Sequence, residues 1–190
     1  LVGSANDQRL EGLLHRLAHE LVRPPCLFGQ AEQGHAHLGI ELRLQVRKQV
    51  VADLSLELPR LKTFVTLSPI PGLINWLESE HIAFDPHDPD TMRGLAAYYL
   101  LSAKRTDHLP VDPVARFHLG NGALVYLVHA GADTSEKGRN QSAGVMVNYL
   151  YDLKKVSSNH EQFASKQEVA ASSDVRALAS AVEKALAKGA

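Results

Sequence analysis

Cysteine is nearly absent: Cys26 is the only one in 190 residues. A lone thiol rules out an internal disulfide and fits a reducing compartment, so a cytoplasmic location is expected. Long apolar runs are missing too. The longest, Ala123–Val128, falls far short of the roughly 20 residues that a membrane-crossing helix needs. Neither sign of charge is in excess: 20 basic residues against 21 acidic ones give a net charge of −1, with the signs interspersed. There is no basic stripe and no polybasic helix, so neither a nucleic acid nor a membrane surface is expected as a partner. Leu1-Val2-Gly3-Ser4 lacks the basic start and apolar run of a secretion signal, and Ala187-Lys188-Gly189-Ala190 is not a targeting tail. No internal repeat, low-complexity tract, Walker loop, Gly-x-Ser-x-Gly elbow or zinc signature is present.

What remains is an ordinary globular composition. With 45 % hydrophobic residues the chain can build a core, and its length suits one domain or one domain with an appendage. Residues 5–22 read as a helix with Leu10, Leu13, Leu14, Leu17 and Leu21 on one face, ended by Pro24-Pro25. His15 and His19 have metal-capable spacing there, but no third ligand is near and a solvated flank is favoured. Gly29, Gly34 and Gly39 break up residues 26–40, where His35 and His37 could share a strand face but a loop is the better reading. Leu42, Val46, Val50 and Leu54 predict a helix over 42–58, stopped by Pro59. A strand is expected over 61–67, which suits an α/β layer.

Two stretches organise the chain. In Thr66-Leu67-Ser68-Pro69-Ile70-Pro71-Gly72 a strand runs into a turn stiffened by two prolines, with one hydroxyl where regular structure stops. Ligands of open α/β sheets bind at such strand ends. Equally, Ser68 could only cap the helix expected over 73–80. In Asp112-Pro113-Val114-Ala115-Arg116-Phe117-His118-Leu119-Gly120-Asn121-Gly122 a short helix with Pro113 in its first turn ends on His118 beside a turn, followed by a strand over 123–128. A histidine there is either structural or a proton-transfer group. Elsewhere, 81–90 reads as a polar loop with carboxylates and histidines, and 91–104 as a helix. Asp133, with Glu136 as capping-box partner, would start a helix over 135–153, from which Tyr151 could reach a site. Residues 154–172 look irregular, and 174–188 form a last helix with Val175, Leu178, Val182 and Leu186 on one face.

Several of these segments resemble the C-terminal catalytic part of malonyl-CoA decarboxylases of the bacterial type. The resemblance is carried by Leu61–Gly72, by Pro113–Leu119 with Asn121-Gly122-Ala123, by Asp133–Gly138 and by Gln141–Tyr151. It covers roughly Gly39 to the C-terminus. It implies a divergent helical segment at 1–38 and a catalytic domain at 39–190. The implied fold is α/β (α+β), like the GNAT acetyltransferases, incomplete for lack of the family's helical oligomerisation domain and opening strands. An exposed apolar surface is expected where such strands would pair. The implied activity is decarboxylation of malonyl-CoA to acetyl-CoA and CO2, within fatty-acid and malonate metabolism, by a family that forms homo-oligomers. No cofactor or metal is implied, because coenzyme A is part of the substrate. Residue by residue, Ser68 matches the family's active-site serine and His118 its active-site histidine. Leu38-Gly39-Ile40-Glu41-Leu42-Arg43-Leu44 resembles the malonyl-CoA-binding loop. Glu41 would match an acidic residue near the active site, and Tyr151 a tyrosine that joins it. Arg43 stands where the family carries glycine, and His129-Ala130-Gly131-Ala132 also departs from its pattern. Two other functions compete with this one. One is an acyl-CoA transferase or hydrolase using the same Ser-His pair; the other is a truncated, non-enzymatic CoA-binding remnant.

Overall fold

Among residues 64–189, which the computed structural model describes, three strands and six helices occur. The readings made for residues 1–63 lie outside the described residues. They include the two early helices, the four histidines at 15, 19, 35 and 37, and Leu38 to Leu44.

Strand β1 spans Val65–Pro69 and continues two residues past its expected end. Pro69 is tolerated because β1 pairs on only one side among the described residues, so no ladder donor is lost there. After the Ile70–Gly72 turn come helix α1, Leu73–Ser79, and helix α2, Pro89–Ser102. Asp88 caps α2 by accepting from the backbone N–H groups of Asp90 and Thr91. Gly72 has to be small: a Cβ built there would lie 2.6 Å from the Tyr99 hydroxyl of α2. Helix α3, Pro113–Gly120, has Pro113 in its first turn as expected, and strand β2 runs Leu124–His129.

The helix expected over 135–153 does not exist. In its place are a seven-residue helix α4, Glu136–Ser142, and a strand β3, Met146–Leu150. Ala143 and Gly144 both adopt left-handed backbone (φ 52° and 77°), which ends the helix. Beyond them the β-branched and aromatic residues alternate, with Val147 and Tyr149 fully buried and Met146, Asn148 and Leu150 half-buried. The cap of α4 is Ser135, whose Oγ accepts from Gly138 N–H. Asp133 instead accepts from Ser135 N–H. Residues expected to be irregular form helix α5, Val156–Lys166. Its buried stripe is only Asn159 and Phe163, too thin to read as an amphipathic period. Helix α6, Ser173–Gly189, buries Val175 and Ala179, with Leu178, Val182 and Leu186 partly buried along the same side.

Among the described residues, β3 is the centre of the sheet. It pairs antiparallel with β1 and with β2, in the order β1-β3-β2. The crevice rule for parallel α/β sheets therefore does not apply. The fold is a mixed α/β one with a small antiparallel sheet. Register puts Ser68, Val147 and Val128 in one row and Thr66, Tyr149 and Val125 in the next, all on the face that carries the core. Val65 and Leu67 point the other way and are 46 % and 54 % exposed. α2 and α6 pack so closely that a Cβ at Gly94 would lie 2.9 Å from Val182.

Helix α5 clamps the turn that follows α3. Asn159 Nδ2 donates to the Gly122 carbonyl, and His160 Nδ1 donates to that of Gly120. Gly122 has φ +78°, and a Cβ there would sit 2.1 Å from the Val156 carbonyl oxygen. Gly122→Ala should therefore cost about 2–4 kcal/mol, from left-handed backbone strain plus a backbone clash. Chemical denaturation of the full chain checks this, with a loss under 1 kcal/mol counting against the clamp.

Candidate active site

Ser68 is the fourth residue of a five-residue strand, and parity turns its side chain to the core face. It does not cap α1: the N-cap of that helix is Gly72, and no side chain bonds there. Its Oγ lies 3.2 Å from Thr66 Oγ1 and 3.1 Å from His118 Nε2. Ser68 and His118 are each 6 % exposed. His118 stands in the last turn of α3, and its carbonyl accepts from Asn121 and Ala123 N–H, which fixes the backbone behind the ring. The other ring nitrogen, Nδ1, is 2.8 Å from the hydroxyl of Tyr151. Tyr151 follows β3 with the parity of Val147 and Tyr149, so its ring comes to the same side. Ser68, His118 and Tyr151, three of the expected site residues, thus form one hydrogen-bonded chain. Glu41 and the other residues of the 38–44 stretch lie outside the described residues.

Two further residues at this site were not singled out in the sequence. Tyr149 is fully buried, and its ring stacks on the His118 imidazole with centroids 4.2 Å apart and planes 15° apart. Asp112 is 1 % exposed and caps α3: its Oδ1 accepts from Ala115 N–H at 2.7 Å. Arg116 reinforces that helix start by donating to the carbonyls of Pro110 and Val111. Asp112 Oδ2 and the Tyr149 hydroxyl are buried without a hydrogen-bond partner among the described residues. Burial pushes the Asp112 carboxyl up to about 6. Burial, and then the charge of Asp112, raise the Tyr149 phenol well above its usual range. The Asp-Pro pair was a visible cap signal for α3. Tyr149 was hidden because its segment read as a helix, in which residues two apart do not share a face.

The arrangement is a serine hydroxyl and an imidazole at hydrogen-bonding distance, on a strand and a helix that are both rigidly held. It can move a proton at Nε2, orient an anionic group at Oγ, or set up a hydroxyl as nucleophile. Among the described residues, no three His, Cys, Asp or Glu side chains are grouped to hold a metal ion. No helix there is long and apolar enough to cross a membrane.

The sequence matches the family model of the malonyl-CoA decarboxylase C-terminal domain over residues 31–88 and 86–188. The chain belongs to the malonyl-CoA decarboxylase family. Curated relatives include the mitochondrial malonyl-CoA decarboxylases of Rattus norvegicus, 30 % identical over 185 residues, and of Anser anser anser, 29 % identical over 189. The alignments cover 74 % and 75 % of this chain and 37 % of each relative, so the chain spans about a third of their length. Among solved structures, the malonyl-CoA decarboxylase of Agrobacterium vitis is 40 % identical with a TM-score of 0.65, over 72 % of this chain and 40 % of that one. The enzyme from Rhodopseudomonas palustris is also 40 % identical, with a TM-score of 0.63 over 69 % of this chain and 36 % of that one. The family match takes in both halves of the site, Ser68 in its first segment and Asp112, His118, Tyr149 and Tyr151 in its second.

The state of Asp112 links the site to stability. The folded carboxyl keeps its proton up to about pH 6, while an unfolded chain releases it near 4. Between those values the folded state binds more protons, so stability falls as pH rises. Asp112→Asn keeps an oxygen for Ala115 N–H and cannot ionise. Its stability relative to the parent should grow by about 2–3 kcal/mol between pH 4 and pH 7. Urea denaturation at the two pH values reads this, and parallel curves would mean that Asp112 ionises as freely in the fold as outside it.

Proposed function

We propose that this site decarboxylates malonyl-CoA to acetyl-CoA and CO2. The observation that carries the reading is the buried contact of Ser68 Oγ with His118 Nε2 at 3.1 Å, with Tyr151 on the opposite ring nitrogen, in a chain of this family. Loss of CO2 leaves its bonding electron pair on C2 and the thioester oxygen as an enolate. The reaction then needs oriented donors for that oxygen and a proton for C2. The thioester itself is the electron sink, so the chemistry requires no metal and no organic cofactor.

In this reading the His118 ring enters the step protonated at both nitrogens, with Nδ1–H donating to the Tyr151 hydroxyl oxygen and Nε2–H on the Ser68 side. Ser68 holds the malonyl carboxylate and turns the breaking C–C bond out of the thioester plane, where it overlaps the carbonyl π system. After CO2 departs, Nε2–H is delivered to C2, and solvent restores the proton. By the resemblance, Leu38 to Leu44 correspond to the family's malonyl-CoA-binding loop and Glu41 to an acidic residue near the active site. Arg43, where the family carries glycine, either binds phosphate by its charge or blocks the close backbone approach that a glycine allows.

The same reading gives the catalytic domain a GNAT acetyltransferase-like fold. It carries over the family's homo-oligomeric assembly and assigns the chain to fatty-acid and malonate metabolism in the cytoplasm, with no nucleic-acid or membrane partner.

The test is turnover by the purified chain, followed as acetyl-CoA and CO2. His118→Ala should lower kcat about 10²–10⁴-fold, as expected for loss of a general acid. Ser68→Ala should lower it about 10²-fold and Tyr151→Phe about 3- to 10-fold. If Ser68→Ala and His118→Ala both leave decarboxylation intact, the assignment fails. Free CoA or an acylated acceptor in place of acetyl-CoA would instead identify a hydrolase or transferase using Ser68 as nucleophile.

A further inference from the structure

Hydrogen bonds at Nδ1 and Nε2 fix where the two ends of the His118 ring lie, but they restrain its tilt about the line joining those partners only weakly. Tilt matters for an acid, because the N–H vector must point at the carbon that accepts the proton. A flat surface against the ring face supplies that restraint. Tyr149 is such a surface: its phenol lies 4.2 Å from the imidazole centroid and within 15° of parallel. Phe117, the residue before His118, meets it only edge-on, at 79°.

The platform is also built into the same sheet as the serine. Thr66 pairs with Tyr149, and Ser68 is the next residue on the same face of β1. Strand register therefore fixes Ser68 and the plane beneath His118 together. The Tyr149 hydroxyl is buried and has no hydrogen-bond partner among the described residues, the His118 ring included.

We infer that Tyr149 is a positioning residue whose aromatic face, and not its hydroxyl, sets the plane of the His118 imidazole for proton delivery. The inference rests on the reading of His118 as the proton donor, and two substitutions separate face from hydroxyl. Tyr149→Phe keeps the platform and should leave kcat and KM within about 3-fold of the parent. Tyr149→Leu keeps an apolar side chain and loses the platform, and should lower kcat about 10- to 100-fold with KM within about 3-fold. Should Tyr149→Leu fail to fold, Tyr149→Met takes its place, with the same outcome expected. A readout independent of activity is the ring-current shift of the His118 ring protons in NMR spectra of the full chain. It should be present in the parent, retained in Tyr149→Phe and lost in Tyr149→Leu.

A Phe variant as impaired as the Leu variant would assign the role to the hydroxyl and overturn the inference. So would a Leu variant with parental kcat, or an unshifted His118 signal in the parent. If the parent shows no decarboxylation, the functional reading fails by itself, and the ring-current shifts alone then decide for or against the platform.

Discussion

The antiparallel register between β1 and β3 is the constraint on which the site depends. Ser68 faces the core because it pairs with Val147, and Thr66 does because it pairs with Tyr149. A slip of one residue along β1 would turn Ser68 out to solvent and bring Leu67 and Pro69 inward. The register is strongly specified: Val147 and Tyr149 are fully buried, whereas Val65 and Leu67 on the alternate face are exposed. Asn148 adds a second lock by donating its side-chain N–H to the Thr66 carbonyl and accepting from His129 on β2. The histidine then needs only one helix of the right length to reach the sheet. α3 provides it, fixed at its start by the Asp112 cap and at its end by the turn that α5 clamps.

The residues of the site were more legible than its construction. Ser68 and His118 stood out because prolines and glycines flank each of them, and these signals are local. Their contact spans 50 residues of chain, and no local pattern encodes it. The fold failed to show at β3 for an identifiable reason. Ser135 and Glu136 start a real helix, and Gln141 to Ala143 carry good helix formers up to the break, so the pattern continued past a stop set only by Ala143 and Gly144 in left-handed backbone. A period of two from Val145 to Tyr151 was available as a competing signal. Reading it would have put Val147, Tyr149 and Tyr151 on one face and exposed the platform and the Nδ1 partner together. Helix α5 was missed for the opposite reason: its buried face consists of little more than Asn159 and Phe163, and tertiary packing decides it where periodicity does not.

The polar groups around His118 run against the usual composition of a core. Ser68, Asp112, His118 and Asn121 all lie within 7 % exposure, among fully buried Leu73, Leu119 and Val147. Most are satisfied by one another or by backbone. Among the described residues, the exceptions are Asp112 Oδ2 and the Tyr149 hydroxyl. An apolar pair of the same shape would be the more stable choice, so folding stability does not explain them. Local conflict of this kind is expected where function and stability draw on the same residues.

That conflict bears on how an imidazole so enclosed could work as an acid. Two sources of support for the protonated ring lie among the described residues. A hydroxyl at each ring nitrogen gives each N–H an oxygen to point to when both are protonated, provided Tyr151 and Ser68 rotate their own protons away. The π face of Tyr149 lies against the ring, where it meets a cation better than an aliphatic side chain would. Both sources come from the sheet, Ser68 from β1 and the two tyrosines from β3 and the residue just past it. The acid is therefore prepared by the same strand pairing that orients the serine, and a change that loosens β1 from β3 would disturb proton delivery and substrate orientation at once.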